Sequence, residues 1–233
     1  MSGADEPTVL STTAGDFPLA ECRVAVGGRT WAVLHAGAVF TREDEARFLA
    51  GEAAGRPYGV ALWPSAVALA HEVALRAAEF AGRSVLELGA GTGLPGIVAA
   101  SLGARVVQTD RQEVALHLCR LNGQRNGAAA AEHRVADWTE WSEAGRYDWL
   151  LGADVLYGDS LHPHLRRIFE ANLAPGGRVL LADPFREVSF RLLEALQADG
   201  WAVTLNKWTV GEAGRPVGVF DLAPPAGQPR GGT

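Results

Sequence analysis

Lysine is nearly absent from this sequence. Lys207 is the only one, and arginine supplies the other side chains of fixed positive charge. Lysine and arginine together number 21 against 27 aspartates and glutamates, which gives a net charge of −6. A nucleic-acid-binding surface needs clustered basic side chains. We therefore expect no nucleic-acid partner.

Cysteine is also scarce, and long apolar runs are absent. Cys22 and Cys119 are the only cysteines, and neither lies in a paired metal-ligand spacing. This usage predicts two reduced thiols, with no disulfide framework and no metal site. No run approaches the roughly 20 apolar residues that span a bilayer, and residues 1–15 lack the apolar core of a signal peptide. We expect a cytoplasmic protein without membrane attachment.

Strand-like and helix-like segments alternate from Arg83 onward, which predicts an α/β fold with a mostly parallel sheet covered on both faces. The length of 233 residues suits one domain with additions at its ends. We predict a leader and a hairpin/helix cap over residues 1–56, the main domain over 57–223 and a flexible Pro/Gly tail over 224–233. The predicted strands of the main domain are Ser84–Leu88, Arg105–Thr109, a short strand ending at Asp137, Trp149–Ala153, Arg178–Ala182, Val203–Trp208 and Val217–Leu222.

The cap has its own local signals. Cys22–Val26 and Thr30–Leu34 alternate as strands do and surround two glycines, which predicts a hairpin. Thr41–Glu52 is typical of a short helix, with Thr41 as its N-cap and Asp44 in a capping box. Farther along, Ala66–Phe80 has apolar residues at helical spacing.

A glycine-rich turn follows the first strand of the main domain, in the segment Glu87–Gly93 (ELGAGTG). Glycines at alternate positions allow a tight turn and a close approach of the backbone to a ligand. The next helix points its N-terminal amides into the same crevice. The glycines at 91, 93 and 96 also fit the dinucleotide fingerprint G-x-G-x-x-G, although that match alone is weak. The alternative is a tight turn that binds nothing.

Acidic residues end the other strands. Asp110 can accept two hydrogen bonds from a ribose, which both NAD and S-adenosylmethionine carry, or it can simply cap the next helix. Asp137 and Trp138 suit an adenine amino group and ring, or a surface loop. Asp154 can receive an amine beside Tyr157, and the alternative is a structural turn with a packed tyrosine.

Four segments between Pro57 and about Asp221 resemble class I S-adenosylmethionine-dependent methyltransferases, and within them methyltransferase family 16. They are Tyr58–Pro64, Glu87–Gly93, Thr109-Asp110 and Asp154–Tyr157. That family is mainly known for methylating lysine side chains of folded proteins. The segment 182–186 (ADPFR) is similar to the G-D-P-x-R of lysine methyltransferases of the electron-transfer flavoprotein β-subunit and their bacterial relatives, with Ala182 in place of glycine and Phe185 in place of a small residue.

The resemblance implies a Rossmann-like seven-stranded sheet whose last strand is antiparallel, with S-adenosylmethionine as cofactor, S-adenosylhomocysteine as product and no metal. It also implies a role for each motif residue: Glu87, Gly89 and Gly91 at the methionine part of the cofactor, Gly93 as a further cofactor-binding residue, Asp110 at the ribose, Asp137 and Trp138 at the adenine, Trp63 closing the pocket, and Asp154 and Tyr157 facing the acceptor.

The implied activity is methyl transfer to an amine, with a protein lysine favoured. A small-molecule N- or O-methyltransferase with the same cofactor site is the alternative. An NAD-dependent oxidoreductase is disfavoured, because no Tyr-x-x-x-Lys pair is present. A binding module that only senses S-adenosylmethionine would leave Asp154 and Tyr157 without a task.

Overall fold

A seven-stranded mixed sheet forms the centre of the molecule. The computed structural model describes residues 9–12, 15–52, 58–128 and 130–225. The strands of the sheet are β1 (Ser84–Leu88), β2 (Arg105–Asp110), β3 (Glu132–Val135), β4 (Tyr147–Ala153), β5 (Leu173–Asp183), β6 (Ala202–Val210) and β7 (Arg215–Ala223).

The strand order is β6-β7-β5-β4-β1-β2-β3. The last strand in the chain, β7, runs antiparallel to both of its neighbours, and the other pairs are parallel. The predicted α/β sheet with an antiparallel last strand is therefore confirmed. Strand order reverses between β1 and β4, which is where ligands bind in open sheets of this kind.

Helices cover both faces of this sheet. They are α1 (Arg42–Glu52), α2 (Pro64–Leu75), α3 (Ala77–Phe80), α4 (Leu94–Ser101), α5 (Glu113–Arg125), α6 (His162–Asn172) and α7 (Glu187–Ala198). Short 3₁₀ helices occupy Tyr58–Val60, Trp138–Glu140 and Asp159–Leu161. In the part of the chain that the structure covers, no helix combines the length and the apolar character that crossing a membrane requires.

Side chains alternate between the two faces of each strand, so neighbouring residues enter different cores. In β4, Leu151 packs in the cluster that contains α2 and α4. The adjacent Leu150 packs on the other side with α6 and α7. Both leucines are fully buried, which explains why the strand is an unbroken apolar run.

Two predicted boundaries are wrong. The single helix predicted over Ala66–Phe80 is interrupted at Arg76, whose φ of −98° and ψ of 26° leave the helical region. The guanidinium of Arg76 binds Glu72 on its own helix and Asp221 on β7, and this anchors the break. Strand β3 ends two residues before Asp137, because the next segment turns into the 3₁₀ helix.

The N-terminal elements pack beside the sheet. Strands Ala20–Val26 and Arg29–His35 form the predicted hairpin, and the predicted capping box is confirmed by hydrogen bonds of 2.9 Å in both directions between Thr41 and Asp44. Two further strand pairs complete this region: the antiparallel pair Val9–Thr12 and Gly15–Pro18, and a two-residue parallel pairing of Gly37–Ala38 with Ala61–Leu62.

Asn122 of α5 ties the hairpin to the domain. Its amide accepts a hydrogen bond of 2.8 Å from the backbone N–H of Leu34 and donates one of 3.1 Å to the carbonyl of the same residue. The predicted domain boundary at 56/57 falls outside the described residues, as does most of the predicted tail, 226–233. Those boundaries stay predictions.

Candidate functional site

A cavity of about 410 Å³ opens at the carboxyl edge of the sheet, over β1, β2 and β4. Eight of the predicted site residues line it: Trp63, Gly89, Gly91, Asp110, Asp137, Trp138, Asp154 and Tyr157. The other two, Glu87 and Gly93, are not among the lining residues. The strand ends therefore bring most of the predicted residues around one space, whose volume is in the usual range for a small-ligand site.

The turn after β1 needs its glycines. Gly89, Gly91 and Gly93 have φ angles of 62°, 55° and 81°, which L side chains rarely adopt. A Cβ on Gly89 would also come within 3.2 Å of the Trp138 ring. Gly93 serves as the N-cap residue of α4. The turn thus presents bare backbone to the cavity.

Glu87 lies behind this turn. It is 2% exposed, and its Oε2 accepts hydrogen bonds from the backbone N–H of Gly96 at 3.2 Å and from Gln108 Nε2 at 2.7 Å. Burial raises the pKa of Glu87 to about 7, against the opposing effect of those two hydrogen bonds. The carboxyl group joins β1, β2 and α4, so the structure does not place it at the cavity as the resemblance implied.

Gln108 is a residue of this group that the sequence analysis missed. Its side chain is fully buried in the middle of β2, directly after Val106 and Val107. A polar amide in such a strand needs a partner, and that was the available signal. Glu87 and the carbonyl of Gly93 provide the partners.

Asp110 reaches the cavity and also closes two turns. Its Oδ2 accepts a hydrogen bond of 3.1 Å from the N–H of Gly91, and its Oδ1 accepts one of 2.9 Å from the N–H of Gln112. Gln112, not Asp110, is the N-cap of α5. Burial raises the pKa of Asp110. Each carboxylate oxygen can accept a second hydrogen bond, so this group can also bind hydroxyls from the cavity.

Asp137 and Trp138 form the wall beyond β3. Asp137 Oδ1 accepts hydrogen bonds from the N–H of Thr139 at 2.8 Å and from its hydroxyl at 2.7 Å, and these lower the pKa of Asp137. This carboxylate caps the 3₁₀ helix that carries Trp138. The contact of both residues with an adenine stays a prediction.

Trp63 brings the N-terminal region into the wall. Its indole N–H donates a hydrogen bond of 3.2 Å to the carbonyl of Tyr58. The edge of the ring meets Phe48 of α1, with the two centroids 5.9 Å apart. Pro64 directly after it begins α2, so the indole sits at a helix start and its position is defined.

Asp154 follows β4 in an unusual backbone conformation. Among the described residues, Asp154 and Phe185 are the only ones other than glycine with positive φ, at 57° and 64°. Asp tolerates this region better than most residues. The backbone N–H of Asp154 is held by the carbonyl of Ala182 at 2.9 Å. This turn directs the side chain toward the cavity.

Arg186 also belongs to this site, although it is not among the ten predicted site residues. Its Nη1 contacts Asp154 Oδ1 and lies 3.2 Å from Asp183 Oδ2. Both Asp154 and Arg186 line the cavity. The signal was the ADPFR segment after β5, because β5 is the parallel neighbour of β4 and its end lies beside Asp154.

Tyr157 stands at the rim, where it is 55% exposed. This exposure disfavours the alternative of a packed, purely structural tyrosine.

The two cysteines are free thiols; Cys119 is buried, and its Sγ lies 3.0 Å from the Gly91 carbonyl. The described parts of the chain contain no cluster of three or more His, Cys, Asp or Glu side chains that could hold a metal ion.

A family model described as lysine methyltransferase matches residues 42–191, well over half of the chain. The chain belongs to this lysine methyltransferase family. The match covers α1 and every strand of the sheet from β1 to β5, including all ten predicted site residues.

Two curated relatives of the chain are named as protein methyltransferases. Protein N-lysine methyltransferase METTL21A of Xenopus tropicalis is 40% identical over 113 residues, which cover 46% of this chain and 52% of that protein. Histone-arginine methyltransferase METTL23 of Mus musculus is 31% identical over 172 residues, 70% of this chain and 64% of that protein. The chain thus spans about half the length of the METTL21A relative.

Solved structures support the fold. Precorrin-6y C5,15-methyltransferase from Geobacter metallireducens superimposes with a TM-score of 0.57 at 17% identity, over 66% of this chain and 88% of that one.

S-adenosylmethionine, the methyl donor of this lysine methyltransferase family, fits the cavity chemically. The glycine turn leaves the space that a Cβ on Gly89 would fill, between Trp138 and Val155. Asp110 retains acceptor capacity for ribose hydroxyls, and Asp137 has an oxygen that the Thr139 hydrogen bonds do not use.

Proposed function

We propose that this protein is an S-adenosylmethionine-dependent methyltransferase that methylates a lysine side chain of a protein substrate. The main support is that one cavity joins the glycine turn and Asp110 to Asp154 and Tyr157. A methyl donor held by the glycine turn and Asp110 would leave Asp154 and Tyr157 facing the methyl acceptor. Membership of the lysine methyltransferase family supports the choice of lysine.

The residues of the chain need to orient an amine and exclude water. The bound cofactor would supply an activated methyl group and its leaving group. A lysine amine has a pKa of about 10.4 in water, so only its deprotonated minority is nucleophilic near neutrality. Apolar walls such as Trp138 and Val155 favour the neutral amine. Asp154 can accept a hydrogen bond from that amine and stabilise the positive charge that develops on nitrogen.

A protein acceptor is favoured over a metabolite by the exposed rim. Tyr157 is more than half exposed at the mouth of the cavity, where a side chain on a large partner could enter. The relative named histone-arginine methyltransferase makes arginine the competing acceptor. Tritiated S-adenosylmethionine incubated with cell lysate, followed by separation by mass and by amino-acid analysis, distinguishes lysine, arginine and metabolite products.

The Asp154→Ala variant tests the catalytic assignment. We expect turnover to fall by about 100-fold or more, while affinity for S-adenosylmethionine by calorimetry changes little. The matched control is Asp159→Ala, which removes an exposed aspartate paired with Arg191 outside the cavity. Near-normal turnover in Asp154→Ala would remove this residue from the mechanism, and absence of calorimetric heat with the unaltered protein would refute the cofactor assignment.

Location and domain organisation complete the proposal. We assign the protein to the cytoplasm, supported by its two free thiols. Residues 57–223 are proposed as the catalytic domain and residues 1–56 as its cap. The contact between Phe48 and Trp63 supports a part for the cap in the cavity wall.

A further inference from the structure

Two carboxylates and one guanidinium meet where β4 and β5 end. The Arg186 guanidinium contacts Asp154 Oδ1 and Asp183 Oδ2. Asp183 is fully buried and has two further partners: the backbone N–H of Arg186 at 2.7 Å and the Ser189 hydroxyl at 2.7 Å. Asp183 is therefore held from the start of α7, and it holds Arg186 in turn.

Asp154 is far less well supported. Its side chain is 9% exposed, and among the described residues its buried Oδ2 has no partner in hydrogen-bond geometry. The other polar group beside this carboxylate is the Ser65 hydroxyl of α2, which is uncharged. Arg186 is thus the main contact that sets both the position and the charge of this carboxylate.

We infer that Arg186 is a positioning residue for methyl transfer, which keeps Asp154 ionised and directed at the acceptor amine. This inference rests on the proposed function, because it assigns Asp154 to the acceptor. Arg186 would act through Asp154 and would not itself touch the reacting atoms.

The balance of charge explains why such a residue is needed. Burial raises the pKa of Asp154 and the neighbouring Asp183 raises it further, while Arg186 and the adjacent Ser65 hydroxyl of α2 lower it. Without Arg186, two buried carboxylates would be left side by side, and one of them would take up a proton. A protonated Asp154 would lose an acceptor for the amine and could not stabilise positive charge on nitrogen. The other charged groups around the cavity are Glu45, Asp110, Arg111 and Asp137.

The first test measures the ionisation of Asp154 directly. Carboxyl ¹³C NMR titration follows Asp residues, and the Asp154→Asn variant assigns the signal. In Arg186→Gln we expect the pKa of Asp154 to rise by at least about one pH unit, a tenfold change in proton affinity. Arg186→Lys should raise this pKa less, because an ammonium keeps the positive charge but lacks the planar set of N–H donors of a guanidinium.

The matched control is Arg191→Gln on α7, the helix that Arg186 precedes; it removes an exposed arginine paired with Asp159 and should leave the Asp154 signal unchanged. An unaltered pKa of Asp154 in both Arg186 variants would overturn the inference. If Arg186→Gln does not fold, Arg186→Ala takes its place in this test, because it removes the same charge.

The second test uses the initial rate of tritium transfer into lysate protein between pH 6 and 8.5. Relative to the unaltered protein, Arg186→Gln should lose at least about tenfold more rate at pH 6 than at pH 8.5, because Asp154 is protonated at the lower pH. Arg186→Lys should recover most of the rate that Arg186→Gln loses at pH 6. A loss of equal size at every pH indicates a merely structural role and would overturn the inference. Absence of transfer by the unaltered protein would refute the proposed function instead, while the NMR titration would still report on Arg186.

Discussion

Glu87 is a buried carboxyl group whose replacement by glutamine should change how the stability of the protein depends on pH. Burial raises its pKa to about 7, from an ordinary 4.5. The Glu87→Gln change keeps an oxygen that can accept the hydrogen bonds from Gly96 and Gln108. The variant therefore removes one titration and little packing.

The sign follows from proton binding in the two states. The folded protein binds the Glu87 proton more tightly than the unfolded chain, so the unfolded chain releases it first as pH rises. Stability then falls between about pH 4.5 and about pH 7, and the contribution of this group does not change with pH above or below that window. The rise from 4.5 to about 7 corresponds to about 3 kcal/mol, at about 1.4 kcal/mol per pH unit.

Urea unfolding at pH 5, 6, 7 and 8 measures this effect. The free energy of unfolding of Glu87→Gln minus that of the unaltered protein should rise by about 2–3 kcal/mol across the series. The subtraction cancels the pH dependence of all other titratable groups, because the two proteins share them. Glu79→Gln, an exposed position on α3, is the control for loss of a surface charge. A Glu87→Gln difference that stays constant with pH would refute the reasoning.

Two further predictions concern buried polar anchors. Asn122→Leu keeps the volume but leaves the N–H and C=O of Leu34 without their partner, so urea unfolding should show a loss of about 2–4 kcal/mol; a loss below about 1 kcal/mol would contradict this role. Arg76→Met leaves Glu72 and Asp221 as buried carboxylates without this cation and should cost about 3–5 kcal/mol at pH 7. An Arg76→Met variant as stable as the unaltered protein would contradict the assignment.

Local sequence was sufficient for the architecture. The apolar run of β4 and the amphipathic helices around it record burial on one or two faces, and periodicity along the chain expresses that burial directly. The glycines at 89, 91 and 93 are readable for a similar reason, since positive φ selects glycine at the residue itself. Asp110 and Asp154 could be placed near one space because parallel strands bring their carboxyl ends to one edge of the sheet.

Partnerships between distant residues needed the tertiary structure. Arg186 reaches Asp154 across 32 positions and Arg76 reaches Asp221 across 145, and neither pairing has a local signature. Glu87 is part of the glycine motif by sequence, yet only the packing of β1 against β2 and α4 shows that it faces inward. Periodicity and turn preference are properties of neighbouring residues, so the chain alone determined its strands, helices and turns. Which charges meet, and which are cut off from water, depends on the order of the strands, and that was decided only by the assembled sheet.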